Sequence, residues 1–209
     1  MNIIRVEGRG RAEAEPDQVS LRFQLESRSS RYAVCVEELH GATEALRQEI
    51  LDAGLTGEHL KTRSFTVQTL YRTDCRDRRV FDAYEASHDL VITFPFRQDL
   101  LGRVLAQVGQ GQSGAQVNVT FSLADSEGLR QRVLARAVEE ARSNARTLAA
   151  AAGLKLGEIL QIDYGSVEVH IRESEHRFEL CSLSARSTFG ITPEAVSLED
   201  TVTLVYAIG

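Results

Sequence analysis

The chain has 209 residues, 43% of them hydrophobic and 26% charged, which is the composition of an ordinary globular protein with enough length to bury a real core. Its formal charge is −6 with acids and bases interspersed, so the basic footprint of a nucleic-acid binder is missing. No apolar stretch approaches the length of a membrane span, and Cys35, Cys75 and Cys181 are too few and too scattered for a disulfide framework or a zinc site.

The first segment, MNIIRVEGRG, is strand-like and lacks an apolar signal core, which points to the cytoplasm. Gly8-Arg9-Gly10 lacks the third glycine of a dinucleotide fingerprint, and Ala-Glu-Ala-Glu-Pro-Asp is no Rossmann helix start. A strand end and turn is the reading adopted. From Gln18 to Leu25 every second residue is apolar, the pattern of a strand with one buried face. Over roughly 30–53, Val36, Leu39, Thr43, Leu46, Ile50 and Ala53 recur at steps of three and four, predicting an amphipathic helix.

Gly54 follows that helix directly, where a left-handed residue closes the last turn, and Leu55 would pack back on it. The run Arg76-Asp77-Arg78-Arg79 carries its own acid and reads as a solvated hairpin tip. Leu90 to Phe96 alternates again, and a shorter helix is predicted near 98–109. Val117 to Leu123 repeats the strand pattern; its sequon Asn118-Val119-Thr120 falls inside that strand and is dismissed.

The helix predicted over 125–152 has a stripe that is mostly alanine: Leu134, Ala137, Val138, Ala141, Ala145, Leu148, Ala149 and Ala152. Arg136 and Glu140 would form a weak pair one turn apart on its outer surface. The stretch AGLKLGEIL then repeats AGLTGEHL, and a phosphate loop would need the reverse order, strand then glycines then helix. Gly153 is therefore a helix stop, with Gly57 and Gly157 leading into the next strands. Strands at 167–171 and 202–208 close the pattern. Between them, 172–196 lacks periodicity and is long for a connection; its Phe178, Leu180, Leu183 and Phe189 are candidate contacts with a second subunit.

These elements predict an α+β fold of antiparallel sheets packed with two long helices and one shorter helix, because half-apolar strands disfavour a doubly wound parallel sheet. The whole of 1–209 reads as one domain. Its halves, approximately 18–96 and 116–208, each run strand, helix, Gly-Leu turn, strand, strand, suggesting internal duplication of a β-α-β-β unit.

No catalytic, cofactor-binding or metal-ligating constellation emerges. The histidines at 40, 59, 88, 170 and 176 lack metal spacing, and the acidic stretch between the last two reads as a solvated loop. Cys35, near a helix start, is assigned to burial rather than reactivity. No GxSxG elbow occurs.

Val6-Glu7-Gly8-Arg9-Gly10 with Pro16-Asp17, Thr62-Arg63-Ser64-Phe65, Tyr84-Glu85-Ala86-Ser87, the alanine-rich helix ending at Gly153 with Leu156-Gly157, and Ile191-Thr192-Pro193 follow one another in an order similar to that of the SIMPL-domain family. The resemblance spans nearly the whole chain. It implies an α+β fold of sheets backed by long helices. Family members include periplasmic proteins, an immunogenic protein that assembles into a channel-like ring, stress-tolerance proteins and an animal kinase-signalling partner. The family has no established catalytic residues, so none is transferred.

The expectation is therefore a non-enzymatic, self-assembling homo-oligomer without cofactor or nucleic-acid partner, joined through sheet edges and the 172–196 loop, with a stress-related role implied by the family alone. The alternative is a small-molecule binder or hydrolase with a pocket between the alanine-rich helix and a sheet, collecting His59, His88 or Cys35 beside a carboxylate. An adaptor for another protein rests only on the animal relative.

Overall fold

The computed structural model describes residues 2–56, 59–164, 175–178 (backbone only) and 192–209. Its elements are β1 (Asn2–Ala14), β2 (Gln18–Ser29), α1 (Tyr32–Asp52), β3 (Lys61–Thr73), β4 (Arg79–Pro95), α2 (Gln98–Gln110), β5 (Gln116–Ser122), α3 (Ser126–Ala151), β6 (Leu156–Asp163), β7 (Glu175–Phe178) and β8 (Val196–Ile208). The predicted α+β class is the class observed, with three helices among the described residues.

Two compact units emerge, each assembled from separated parts of the chain. One contains a sheet of order β3-β4-β2-β5-β7 with α1 and α2. The alternation seen at 18–25 is strict here: Val19, Leu21, Phe23 and Leu25 are all buried, against Leu39, Leu46 and Ile50 of α1 and Leu101, Val104 and Leu105 of α2. Burying such side chains is worth about 1.5–3 kcal/mol apiece, so this core dominates the unit's stability.

The other unit is a sheet of order β1-β8-β6 with α3. β1 and β8 pair antiparallel without interruption from Asn2↔Ile208 to Ala14↔Val196. Both units run strand, helix, strand, strand, and in both the first strand pairs with the third, which also pairs with the second. The strand that leads this unit is β1. The stretch 116–122, matched to 18–25 by its alternation, joins β2 in the five-stranded sheet instead. Alternation reports one buried face and carries no information on which sheet supplies it.

The glycine stops behave as their position requires. Gly54 (φ 94°) and Gly153 (φ 69°) occupy the left-handed region after α1 and α3. Leu55 N–H donates to Ile50 O and Gly54 N–H to Leu51 O; Leu154 N–H donates to Ala149 O and Gly153 N–H to Ala150 O. Both are Schellman closures, which satisfy carbonyls that the helix end leaves unpaired. Leu55 packs on the core as predicted, whereas Leu154 stays 41% exposed. Gly157 lies within β6, against Ala207. Gly57, Cys181 and the predicted strand at 167–171 lie outside the described residues.

Within 172–196 a short strand, β7, pairs with β5, Val117↔Phe178 to Thr120↔Glu175. Four residues are too few to leave a periodicity in sequence. Of the predicted subunit contacts, Phe178 is placed by this register, and Leu180, Leu183 and Phe189 lie outside the described residues.

Candidate functional site

The glycines of Gly8-Arg9-Gly10 sit inside β1, on the face that carries buried Val6 and Ala12. A Cβ at Gly8 would overlap Ala137 O and Ala141 N, and one at Gly10 would overlap Val133 O. Their role is close packing under α3, whose Ala137, Ala141 and Ala145 are fully buried. No strand end or turn falls here, in contrast to the sequence expectation, because the close partner lies more than a hundred residues away.

Such proximity lets α3 reach the backbone of β1 along its open edge. Arg136 Nη1 donates to Arg11 O at 2.6 Å, Arg9 N–H donates to the Glu140 carboxylate, and Asn144 Nδ2 donates to Glu7 O at 3.1 Å. Residues 7, 9 and 11 alternate in a strand and so present their N–H and C=O groups to the same side. Arg136, Glu140 and Asn144 are spaced by one helical turn each, so one polar stripe closes one strand edge. Arg136 and Glu140 thus bind backbone rather than one another, a correction to the surface pair expected from their spacing.

β6 ends the same sheet on its other side. It is short, slips register against β8 twice, and carries Glu158 and Asp163. Bulges and acids of this kind blunt an edge.

β3 is different. It ends the five-stranded sheet, and among the described residues nothing pairs with it on the side away from β4. Both of its faces are largely exposed, with Phe65 53% and Tyr71 49% accessible. Its basic residues, Lys61, Arg63 and Arg72, lie towards the ends, and register shifts against β4 fall at Thr62/Ser64 and Leu70/Tyr71. Between them Ser64-Phe65-Thr66-Val67-Gln68-Thr69-Leu70 is uncharged and pairs with β4 in unbroken register. Beyond it Phe81 and Tyr84 pack at 5.2 Å, Tyr32 meets Tyr84 edge-on, and Arg79 lies over the Tyr71 ring. The hairpin then turns through Asp74–Arg78, the predicted solvated tip; hydrogen bonds from the backbone N–H groups of Arg78 and Arg76 hold the Asp74 carboxyl below the usual range.

The titratable side chains singled out in sequence do not assemble into one centre. Cys35 is fully buried beside Ser27, with Sγ 3.4 Å from its hydroxyl. His40 and His59 are exposed, and Cys75 lies exposed in the hairpin turn. His88 bridges two elements: Nδ1 is 3.1 Å from Thr43 Oγ1 and Nε2 is 3.0 Å from Thr62 Oγ1. Thr43 gives its proton to Leu39 O, so it accepts from Nδ1–H, and Nε2 accepts from Thr62. The neutral ring therefore fastens α1 to β3. Burial first, and the charge of Arg47 second, hold its pKa below 6.5 against the opposing pull of Asp89. Asp89 itself is committed to Arg22 at 2.5 Å. Sequence gave no sign of this bridge, since its three residues share no local spacing.

Among the described residues, no group of three or more His, Cys, Asp or Glu could hold a metal ion. A shallow groove of about 410 Å³ opens between β1 and α3, lined by Arg5, Val6, Glu7, Asn144, Thr147 and Leu148. It lies where a pocket was anticipated, beside the alanine-rich helix, but His59, His88 and Cys35 belong to the other unit. No helix among the described residues is long and apolar enough to cross a membrane.

Comparison with known proteins adds little about activity. No curated protein matches the chain. A solved structure described as a hydrolase from Listeria innocua aligns over 96% of this chain and 92% of its own, at 10% identity and a TM-score of 0.15, a likeness too poor to inform either fold or function. The SIMPL family model, described as a protein of unknown function (DUF541), matches residues 4–206. Matched over nearly its full length, the chain belongs to the SIMPL family.

Proposed function

We propose that this chain is a non-enzymatic α+β module that associates with copies of itself through a sheet edge. The contrast between two long edges carries the reading. In the middle of β1 the outward Glu7 O, Arg9 N–H and Arg11 O are taken up by Asn144, Glu140 and Arg136, whereas β3 leaves an uncharged, exposed run without a partner among the described residues. An unblocked strand edge is a template for another strand. Light scattering over a wide concentration range tests this directly: a rise in mass with concentration is expected, and a monomer throughout would refute it. The stress-related role implied by the family is part of this proposal, tested by the survival of a deletion strain under oxidant.

A second reading, small-molecule binding, draws on the groove between β1 and α3, where Arg5, Glu7, Asn144 and Thr147 offer both charge signs and neutral hydrogen-bonding groups. A ligand retained in native mass spectra of the wild type and lost in Arg5→Ala would support it.

A further inference from the structure

We infer that the β3 edge pairs with the β3 edge of a second copy, antiparallel and centred on Val67, joining two five-stranded sheets into one. The inference rests on the self-association proposed above and names its surface, symmetry and register.

Of the three edges whose side chains are described, two are disqualified by what lies on them. The middle of β1, Glu7 to Arg11, is capped by the α3 stripe, and β6 is short, acidic and irregular twice within its eight residues. β3 alone combines a long ladder on its inner side with an uncharged outer run free of Pro and Gly, the composition that favours strand addition. The lysine and arginines near its ends bar the two registers on either side of the Val67-centred one, which would set Lys61 or Arg63 opposite Arg72, because like charges directly opposite are destabilising.

Centring the pair on Val67 sets Val67 opposite its own copy, Thr66 opposite Gln68, Phe65 opposite Thr69 and Ser64 opposite Leu70. Beyond that run, past the irregularities at Thr62/Ser64 and Leu70/Tyr71, the same count brings Arg63 near Tyr71, Arg72 near Thr62, and Lys61 near Thr73. No basic residue meets another. Arg63 instead finds an exposed aromatic ring, the kind of contact Arg79 already makes with Tyr71 inside one chain. A two-fold axis through Val67 makes the contact isologous, so it closes at two copies. Phe65 and Tyr71, half exposed in the single chain, lie along the new seam.

The register is tested by a charge swap. Thr66 and Gln68 are both exposed and lie on one face, opposite each other across the proposed axis. Thr66→Lys/Gln68→Lys places like charges opposite twice. Thr66→Glu/Gln68→Lys places opposite charges there, and the substituted Gln68 position keeps a favourable neighbour in Glu85. The dimer dissociation constant of the first variant should exceed that of the second by about tenfold or more. Equal circular dichroism, and equal melting at dilutions where both are monomeric, would show that folding is unaffected.

Independently, Val67→Cys in a Cys75→Ser/Cys181→Ser background should cross-link to a covalent dimer with diamide as two-electron acceptor, since directly opposite residues have Cα atoms about 4.5–5.5 Å apart. Thr73→Cys in the same background should not. If the protein associates yet the two charge variants dimerise equally, or Thr73→Cys cross-links as readily as Val67→Cys, this pairing is wrong and self-association stands on another surface. If the wild type is a monomer at every concentration, both fall.

Discussion

In one unit α3 lies on β1 through Gly8, Gly10 and a row of alanines; in the other α1 lies over β2 and β4 through Leu39, Leu46 and Ile50 against Phe23, Leu25 and Leu90. The small-residue seam brings the helix backbone close enough for Arg136, Glu140 and Asn144 to reach main-chain atoms of β1. The large-residue seam holds α1 over the middle of its sheet, and its described tie to β3 is the His88 bridge. In this protein the small-residue seam accompanies the capped edge, and a capped edge is removed from the set of surfaces on which another strand can add.

Substitutions at the seams break the contrast most severely. Gly10→Val would drive a side chain into the Val133 carbonyl, and neither backbone can yield without separating α3 from β1. A loss of about 3 kcal/mol or more is expected in denaturant unfolding, at the upper end of overpacking costs. A neutral result would mean that α3 does not lie this close. In the other unit Glu49 is buried and accepts from the Ser113 N–H at 2.9 Å and its hydroxyl at 2.7 Å, pinning the turn that leads into β5. Glu49→Ala should cost about 1–3 kcal/mol by orphaning both donors; thermal melts would detect it, and Glu49→Gln should recover part of the loss.

Opening the closed edge is a milder change. Glu140→Ala/Asn144→Ala frees Arg9 N–H and Glu7 O at a cost of about 1–2 kcal/mol. The more telling readout is association: the variant should gain a second mode of self-pairing, seen by light scattering as species beyond a dimer. Unchanged mass would show that the polar stripe is not what keeps β1 unpaired.

The smallest expected effect is a pH dependence at the His88 bridge. Its folded pKa lies below the unfolded value of 6.5, so the unfolded chain binds the proton more readily. The ring's contribution is complete above pH 6.5 and is lost as pH falls below that value through the folded pKa. His88→Gln should flatten the stability profile in that window. A wild-type profile already flat from pH 7 to pH 5 would show the ring to be unperturbed.

What was legible in sequence was local. The strand at 18–25, the two glycine stops and most of each helix stripe depend on neighbours within a turn or a pleat and formed as their spacing required. Leu148 and Ala152 of the expected α3 stripe, however, lie exposed, while Leu129 and Val133 are buried in the helix's first half. What was not legible depends on partners far along the chain. Gly8 and Gly10 read as a turn because nothing nearby reveals α3 above them. Arg136 and Glu140 read as a pair because the backbone they bind belongs to β1. A usable signal did exist: Arg136, Glu140 and Asn144 form a polar row beside an alanine row, and two glycines one residue apart share a strand face. Together they describe a helix that touches a strand and closes its edge. The sheet joined by β5 left no such trace, since its alternation suits any buried face.

Amide hydrogen exchange measured against protein concentration tests the edge contrast most directly. Amides within Ser64–Leu70 are expected to become more protected as concentration rises, while those of Glu7–Arg11 keep the same protection throughout. Concentration-independent exchange across Ser64–Leu70, or a rise confined to Glu7–Arg11, would contradict it.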